Sequence, residues 1–96
     1  MNIKLLKLVS GEDVIAEVET LQTEYRLKNP MKIIISPMGV GMMGFLDCVQ
    51  QKSVCIKYEH VMFEAVPEQE LYNAYNEKFG SGIVIPKAGI SLNVGD

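Results

Sequence analysis

Cysteine, histidine, excess basic charge and long apolar runs are all scarce in this chain, and each scarcity closes off a class of function. Two cysteines among 96 residues, Cys48 and Cys55, do not build the disulfide framework of a small secreted domain. Each reads as a reduced, small apolar filler, with a bond between them as the minor alternative. The single histidine, His60, has no closely spaced partner ligand. Cys48, Cys55 and His60 therefore lack zinc-site spacing, and no metal or other cofactor is expected. As nucleophile and base, Cys55 and His60 face different directions across a bend, with only Glu59 at hand to orient them. No enzyme is expected.

Nine Lys and Arg against 12 Asp and Glu give a formal net charge of −3. That balance argues against coating duplex DNA by bulk charge, but leaves room for a local basic patch or a ring whose faces differ in sign. No apolar run approaches the roughly 20 residues of a membrane span. Residues 1–7 lack the long apolar core and small-residue cleavage site of a signal peptide. The expectation is a cytoplasmic protein with no membrane partner. There are no internal repeats, low-complexity tracts or linkers, so residues 1–96 read as one domain. A chain of that length buries about two-thirds of its unfolded surface, and 48% hydrophobic with 22% charged residues is ordinary globular composition.

What is present is strand-like. Residues 54–66 organise the rest: Val54, Ile56 and Tyr58 share one face, Val61, Phe63 and Ala65 alternate afterwards, and Tyr58-Glu59-His60 interrupts the two runs. This pattern predicts two strands joined by a sharp bend, the device that curls a sheet into a small barrel. Residues 3–9 and 14–18 form the firmest hairpin, with Gly11 free to take positive φ in the turn. Val14, Ala16 and Val18 alternate with Ile15, Glu17 and Glu19, giving one buried and one wet face. Residues 21–29 read as a polar connection in which Leu27 is the one candidate strand start. Pro30 biases Asn29 toward extended geometry, and residues 31–36 form the next strand.

Residues 39–44 contain a literal Gly-x-Gly-x-x-Gly, yet no helix opens at the third glycine and no parallel strand is in prospect. A bent or bulged strand, or a mobile apolar loop, is the expected reading. Met42 and Met43 fit either a plastic contact patch or a core gap. Residues 67–80 predict a helix: Pro67 starts it, Glu68 and Glu70 suit its positive end, and Lys78 suits its last turn. Leu71, Ala74, Tyr75 and Phe79 form its apolar stripe, Tyr72, Asn73 and Asn76 lie off it, and Gly80 caps it. The aromatics read as packing against the sheet, with a partner surface as the alternative. Residues 81–96 are a tail or an edge strand. The fold class is all-β: a small, strongly bent, five-stranded antiparallel barrel (residues 1–66) with one added C-terminal helix.

Two patches together resemble the Sm/LSm fold, the ring-forming RNA-binding barrels that include Hfq. The first runs Ser10-Gly11, Val14, Ala16, Val18, Leu21-Gln22 and Tyr25-Arg26; the second runs 56–63 as Ile-Lys-Tyr-Glu-His-Val-Met-Phe. The likeness is one of pattern over about half the chain. Gln22, Arg26 and Tyr58 stand where that family carries Asp, Asn and Gly. The usual N-terminal helix is missing, and the general look is that of short phage-encoded Sm-like barrels.

The resemblance implies a homo-oligomeric ring sealed edge to edge through Val54, Ile56, Val61 and Phe63. It also implies a binding platform or chaperone for single-stranded RNA, with DNA as a substitute. Tyr25 and Lys57 would sandwich a base, Arg26 and Lys28 would meet phosphate, and Tyr58 and His60 would stand near the rim. Physics agrees on the ring, since a barrel this short leaves open edges that pairing removes. The alternative is a structural or protein-binding adaptor, such as a phage assembly component, for which acidic charge is natural.

Overall fold

The computed structural model describes residues 2–45, 50–79 and 93–94. Its strands are β1 (Ile3–Leu8), β2 (Asp13–Thr20), β3 (Glu24–Ser36), β4 (Gly39–Gly44), β5 (Ser53–Lys57), β6 (Val61–Ala65) and β7 (Asn93–Val94). One helix, α1 (Gln69–Phe79), follows β6, and a 3₁₀ turn (Tyr58–His60) joins β5 to β6. All ladders are antiparallel except the short β4–β7 pairing, which is parallel. The fold is therefore mostly β with a single C-terminal helix.

The predicted hairpin forms as expected. Leu5 faces Ile15 and Leu6 faces Val14, while Gly11 takes a φ of +99° in the connecting turn. The β1 edge continues onto β6, and β2 continues onto β3. β3 is long enough to hold two partners on its far flank, β5 against its first half and β4 against its second.

This order forces curvature. β5 and β6 stand at opposite ends of the row β6-β1-β2-β3-β5, which in a flat sheet would hold them about 19 Å apart at roughly 4.8 Å per spacing. Only the 3₁₀ turn connects them, and such a turn rises about 2 Å per residue. The sheet must curl to bring its two ends together. Two backbone bonds hold the turn in place: Val9 N–H donates to the His60 carbonyl at 2.9 Å, and Tyr58 N–H donates to the Thr23 carbonyl at 3.4 Å. Among the described residues no ladder joins β5 to β6, so the sheet curls without closing.

The concave side holds one core. Leu6, Leu8, Val14, Ala16, Val18 and Leu27 are buried there, and Val54, Ile56 and Val61 pack against them. All five strands of the row contribute, as a curled sheet requires. The outer side of β2 is not uniformly wet as its alternation predicts. Ile15 is buried in a second core with Ile3, Met31, Met42 and Tyr75 of α1, because the helix lies across that face.

Residues 21–29 depart from expectation. β3 starts at Glu24 and runs through Pro30, so the supposed connection is largely strand. The proline is tolerated because it sits in a bulge. Ile15 faces Met31 and Glu17 faces Lys28, leaving Asn29 and Pro30 opposite Ala16 alone. Asn29 takes a φ of +50° rather than an extended value, a conformation asparagine accepts more readily than most residues.

Every backbone polar group of the bulge has a partner. Asn29 N–H donates to the Lys52 carbonyl at 2.8 Å, and the Pro30 carbonyl accepts from Phe45 N–H at 3.3 Å. The Asn29 carbonyl lies 2.9 Å from the Tyr75 hydroxyl, and proline has no N–H to satisfy.

Residues 39–44 are strand β4, paired one for one with residues 31–36, and neither a loop nor a phosphate cradle. Met42 fills a core gap whereas Met43 is exposed. The helix stripe of Leu71, Ala74, Tyr75 and Phe79 packs as predicted, but Tyr72 also joins that core and Asn76 is buried. Pro67 precedes the helix, which starts at Gln69. Cys55 is free and exposed on β5, not a buried filler. Gly80, Cys48 and most of the 81–96 tail lie outside the described residues. No helix among the described residues is long and apolar enough to cross a membrane.

Candidate nucleic-acid interface

β3 and β5 carry most of the sequence-predicted site. Glu24 faces Lys57, Tyr25 faces Ile56, Arg26 faces Cys55 and Lys28 faces Ser53. Strand alternation then sorts the side chains. Tyr25 and Leu27 belong to the concave face, with Val54 and Ile56. Arg26, Lys28, Cys55 and Lys57 belong to the outer face and are exposed.

Tyr25 meets Tyr58 at the mouth of the curl. Their ring centroids lie 4.7 Å apart at 66°, an edge-to-face contact. The Tyr58 hydroxyl donates to the Leu21 carbonyl, tying the 3₁₀ turn to the β2–β3 connection. Burial, and then the Glu64 carboxylate, push the Tyr25 hydroxyl above its usual pKa of 10.0. Tyr25 is therefore a neutral, half-buried ring with one partner already against it.

The structure does not bring Tyr25 and Lys57 together in one copy, because they stand on opposite faces of the β3–β5 ladder. Two of the three cations on the outer face, Arg26 and Lys57, are matched by carboxylates. Arg26 Nη1 lies 2.8 Å from Glu19 Oε1, and Lys57 Nζ lies 3.5 Å from Glu24 Oε1. Cys55, and then Glu19, raise the Arg26 pKa further, so its charge is permanent. Lys28 lines a shallow hollow with Glu17, Glu19, Arg26 and Ser53. His60 is exposed, and its backbone carbonyl anchors β1.

Exposed ion pairs are worth about 0–1 kcal/mol, so a phosphate can displace one at little cost. The carboxylate left behind still repels it. These pairings escaped the sequence reading because Glu19 and Arg26, or Glu24 and Lys57, become neighbours only through cross-strand register.

Of the four residues predicted at a subunit edge, Val54, Ile56 and Val61 turn their side chains into the chain's own core. Their strands nonetheless keep an unpaired outer flank among the described residues, since β5 bonds only to β3 and β6 only to β1. Phe63 is 54% exposed, and Met62, which sequence reasoning passed over, is 61% exposed. Among the described residues, no group of three or more His, Cys, Asp or Glu side chains is placed to hold a metal ion.

No protein-family model matches the chain, and no curated protein matches its sequence. Geometry and chemistry alone carry the functional reading.

Proposed function

We propose that this protein is an Sm-like barrel whose copies join β5 edge to β6 edge in a homo-oligomeric ring, and that the ring binds single-stranded RNA, or DNA in its place. It acts as a platform or chaperone in the cytoplasm and performs no covalent chemistry. The observation that carries the reading is the connectivity: a five-strand row whose two ends are consecutive in the chain, linked by a three-residue turn. Among the described residues both end strands offer free backbone donors and acceptors, and β6 adds the exposed apolar pair Met62 and Phe63. Open, apolar edges are aggregation hazards that closure of a ring removes. The Tyr25–Tyr58 pair at the mouth supplies an aromatic surface on which an unpaired base stacks.

Native mass measurement tests the ring, with an integer multiple of the 10.7 kDa chain expected. Phe63→Lys places a charge on the outer flank of β6 and is expected to yield a folded monomer. A wild-type monomer would end the ring reading. Binding is tested with short U-rich and A-rich RNA. Tyr25→Ala is expected to weaken affinity by about 1–3 kcal/mol, the worth of one stacked base. Lys57→Ala is expected to lower the salt slope by about one unit.

The ion pairs of Arg26 with Glu19 and of Lys57 with Glu24 favour a second reading, a protein-binding or structural adaptor. An intact ring that binds no RNA at low salt would select it.

A further inference from the structure

We infer that the cleft where the far flank of β3 changes partners, from β5 to β4, is a binding site for a nucleobase and its adjoining phosphate. β4 ends at Gly44 and β5 begins at Ser53, so the ladder is interrupted beside Asn29 and Pro30. The interruption is a cavity of about 280 Å³. Pockets for drug-sized ligands start near 300 Å³, so this one suits a single flat ring system better than an extended ligand.

Its lining matches a nucleotide part by part. Phe45, just past β4, and Phe79, the last residue of α1, bring two aromatic rings to the cavity, the surface on which bases stack. Asn29, Gln50 and Gln51 add three carboxamides. Each is both donor and acceptor, as the mixed hydrogen-bonding edge of a base requires. Lys52 supplies the cation.

Among the described residues no carboxylate lines the cavity and Lys52 makes no ion pair. That distinguishes this site from the outer face of β3 and β5, where Arg26 and Lys57 are already neutralised. The ligand is a base linked through its sugar to a phosphate, either a free mononucleotide or one unit of a single strand. The site uses neither Tyr25 nor Tyr58, so it stands or falls separately from the proposed rim.

Titration of AMP and UMP into the isotope-labelled full chain, with ribose phosphate as the base-free control, reads the site directly. Saturable shifts are expected at the amides of Asn29, Phe45, Gln51 and Lys52 with the nucleotides, and none with the control. Gln51→Ala and Lys52→Ala, both at exposed positions, are each expected to weaken binding by roughly tenfold, whereas Ile35→Ala, at an exposed position of β3 away from the cavity, leaves it unchanged. Read at the pocket amides of Tyr25→Ala protein, which lacks the proposed rim contact, a short single strand that binds more tightly than AMP makes a strand unit the ligand; equal affinity makes it the free nucleotide. Three results would each overturn the assignment: no shift at millimolar nucleotide in folded protein, an equal response to ribose phosphate, or indifference to both pocket variants.

Discussion

Leu27→Ala is expected to lower the free energy of unfolding by about 3–4 kcal/mol, in the upper part of the 2–5 kcal/mol range for buried leucines. Leu27 is fully buried at the middle of the five-strand row, between Val18 of β2 and Val54 of β5. Its backbone is laddered on both sides, so neither neighbour moves in easily to fill the space left by the lost atoms. A cavity therefore persists, and the cavity adds to the lost transfer energy.

A 96-residue domain has roughly 5–14 kcal/mol of total stability to lose. The midpoint of chemical denaturation should fall sharply, with the slope unchanged. Ile35→Ala is the control: that side chain is 74% exposed, and its loss should change stability by less than about 0.5 kcal/mol. Protein concentration must be held fixed, because assembly would add to apparent stability. A Leu27→Ala midpoint close to wild type would show that the curled core does not close around this residue.

Tyr75→Phe is expected to destabilise the fold by about 1–3 kcal/mol although it removes a single oxygen atom. The Tyr75 hydroxyl sits where β2 and β3 fall out of register. It accepts from Glu17 N–H at 3.2 Å and lies 2.9 Å from each of the Lys28 and Asn29 carbonyls. Without it, the Glu17 N–H loses its acceptor, and the Lys28 and Asn29 carbonyls lose the one proton they share.

The same hydroxyl makes stability pH-dependent in alkali. Burial pushes its pKa from 10.0 up to about 12, so folding holds the proton more tightly than the unfolded chain does. The contribution is complete below pH 10 and is lost as pH rises to about 12. Thermal melts across that interval should show a fall in wild type that is reduced in Tyr75→Phe. Parallel pH profiles would place the hydroxyl outside the bulge.

These two residues also show where sequence reading succeeds and where it stops. Val14, Ala16 and Val18 announce a buried face by simple alternation, and all three are buried. Gly11, flanked by polar residues between two apolar runs, marks a tight turn, and its φ is positive. Tyr58-Glu59-His60 interrupts two β-branched runs and is the 3₁₀ turn on which the curl depends. Leu71, Ala74, Tyr75 and Phe79 declare an amphipathic helix by spacing alone. Each of these signals is local, carried by a period of two or 3.6 residues or by the freedom of one glycine.

The opposite outcome at residues 21–36 has an equally definite cause. Read locally, Pro30 separates a polar connection from a strand that begins at Met31, since proline has no N–H and restricts its predecessor. The chain passes through it because Ala16 and the Tyr75 hydroxyl together accommodate a two-residue bulge, and the latter lies 46 residues from Asn29. The proposed binding face follows the same logic. Tyr25, Arg26 and Lys57 were visible as residue types, but strand parity set Tyr25 apart from the other two, and cross-strand register placed a glutamate beside each cation. Periodicity and turn chemistry act over a few residues, so the strands, the hairpin and the helix are written in the chain itself. Which strands meet, which charges cancel and where the curled sheet leaves a gap depend on residues far apart in sequence, and only packing decides them.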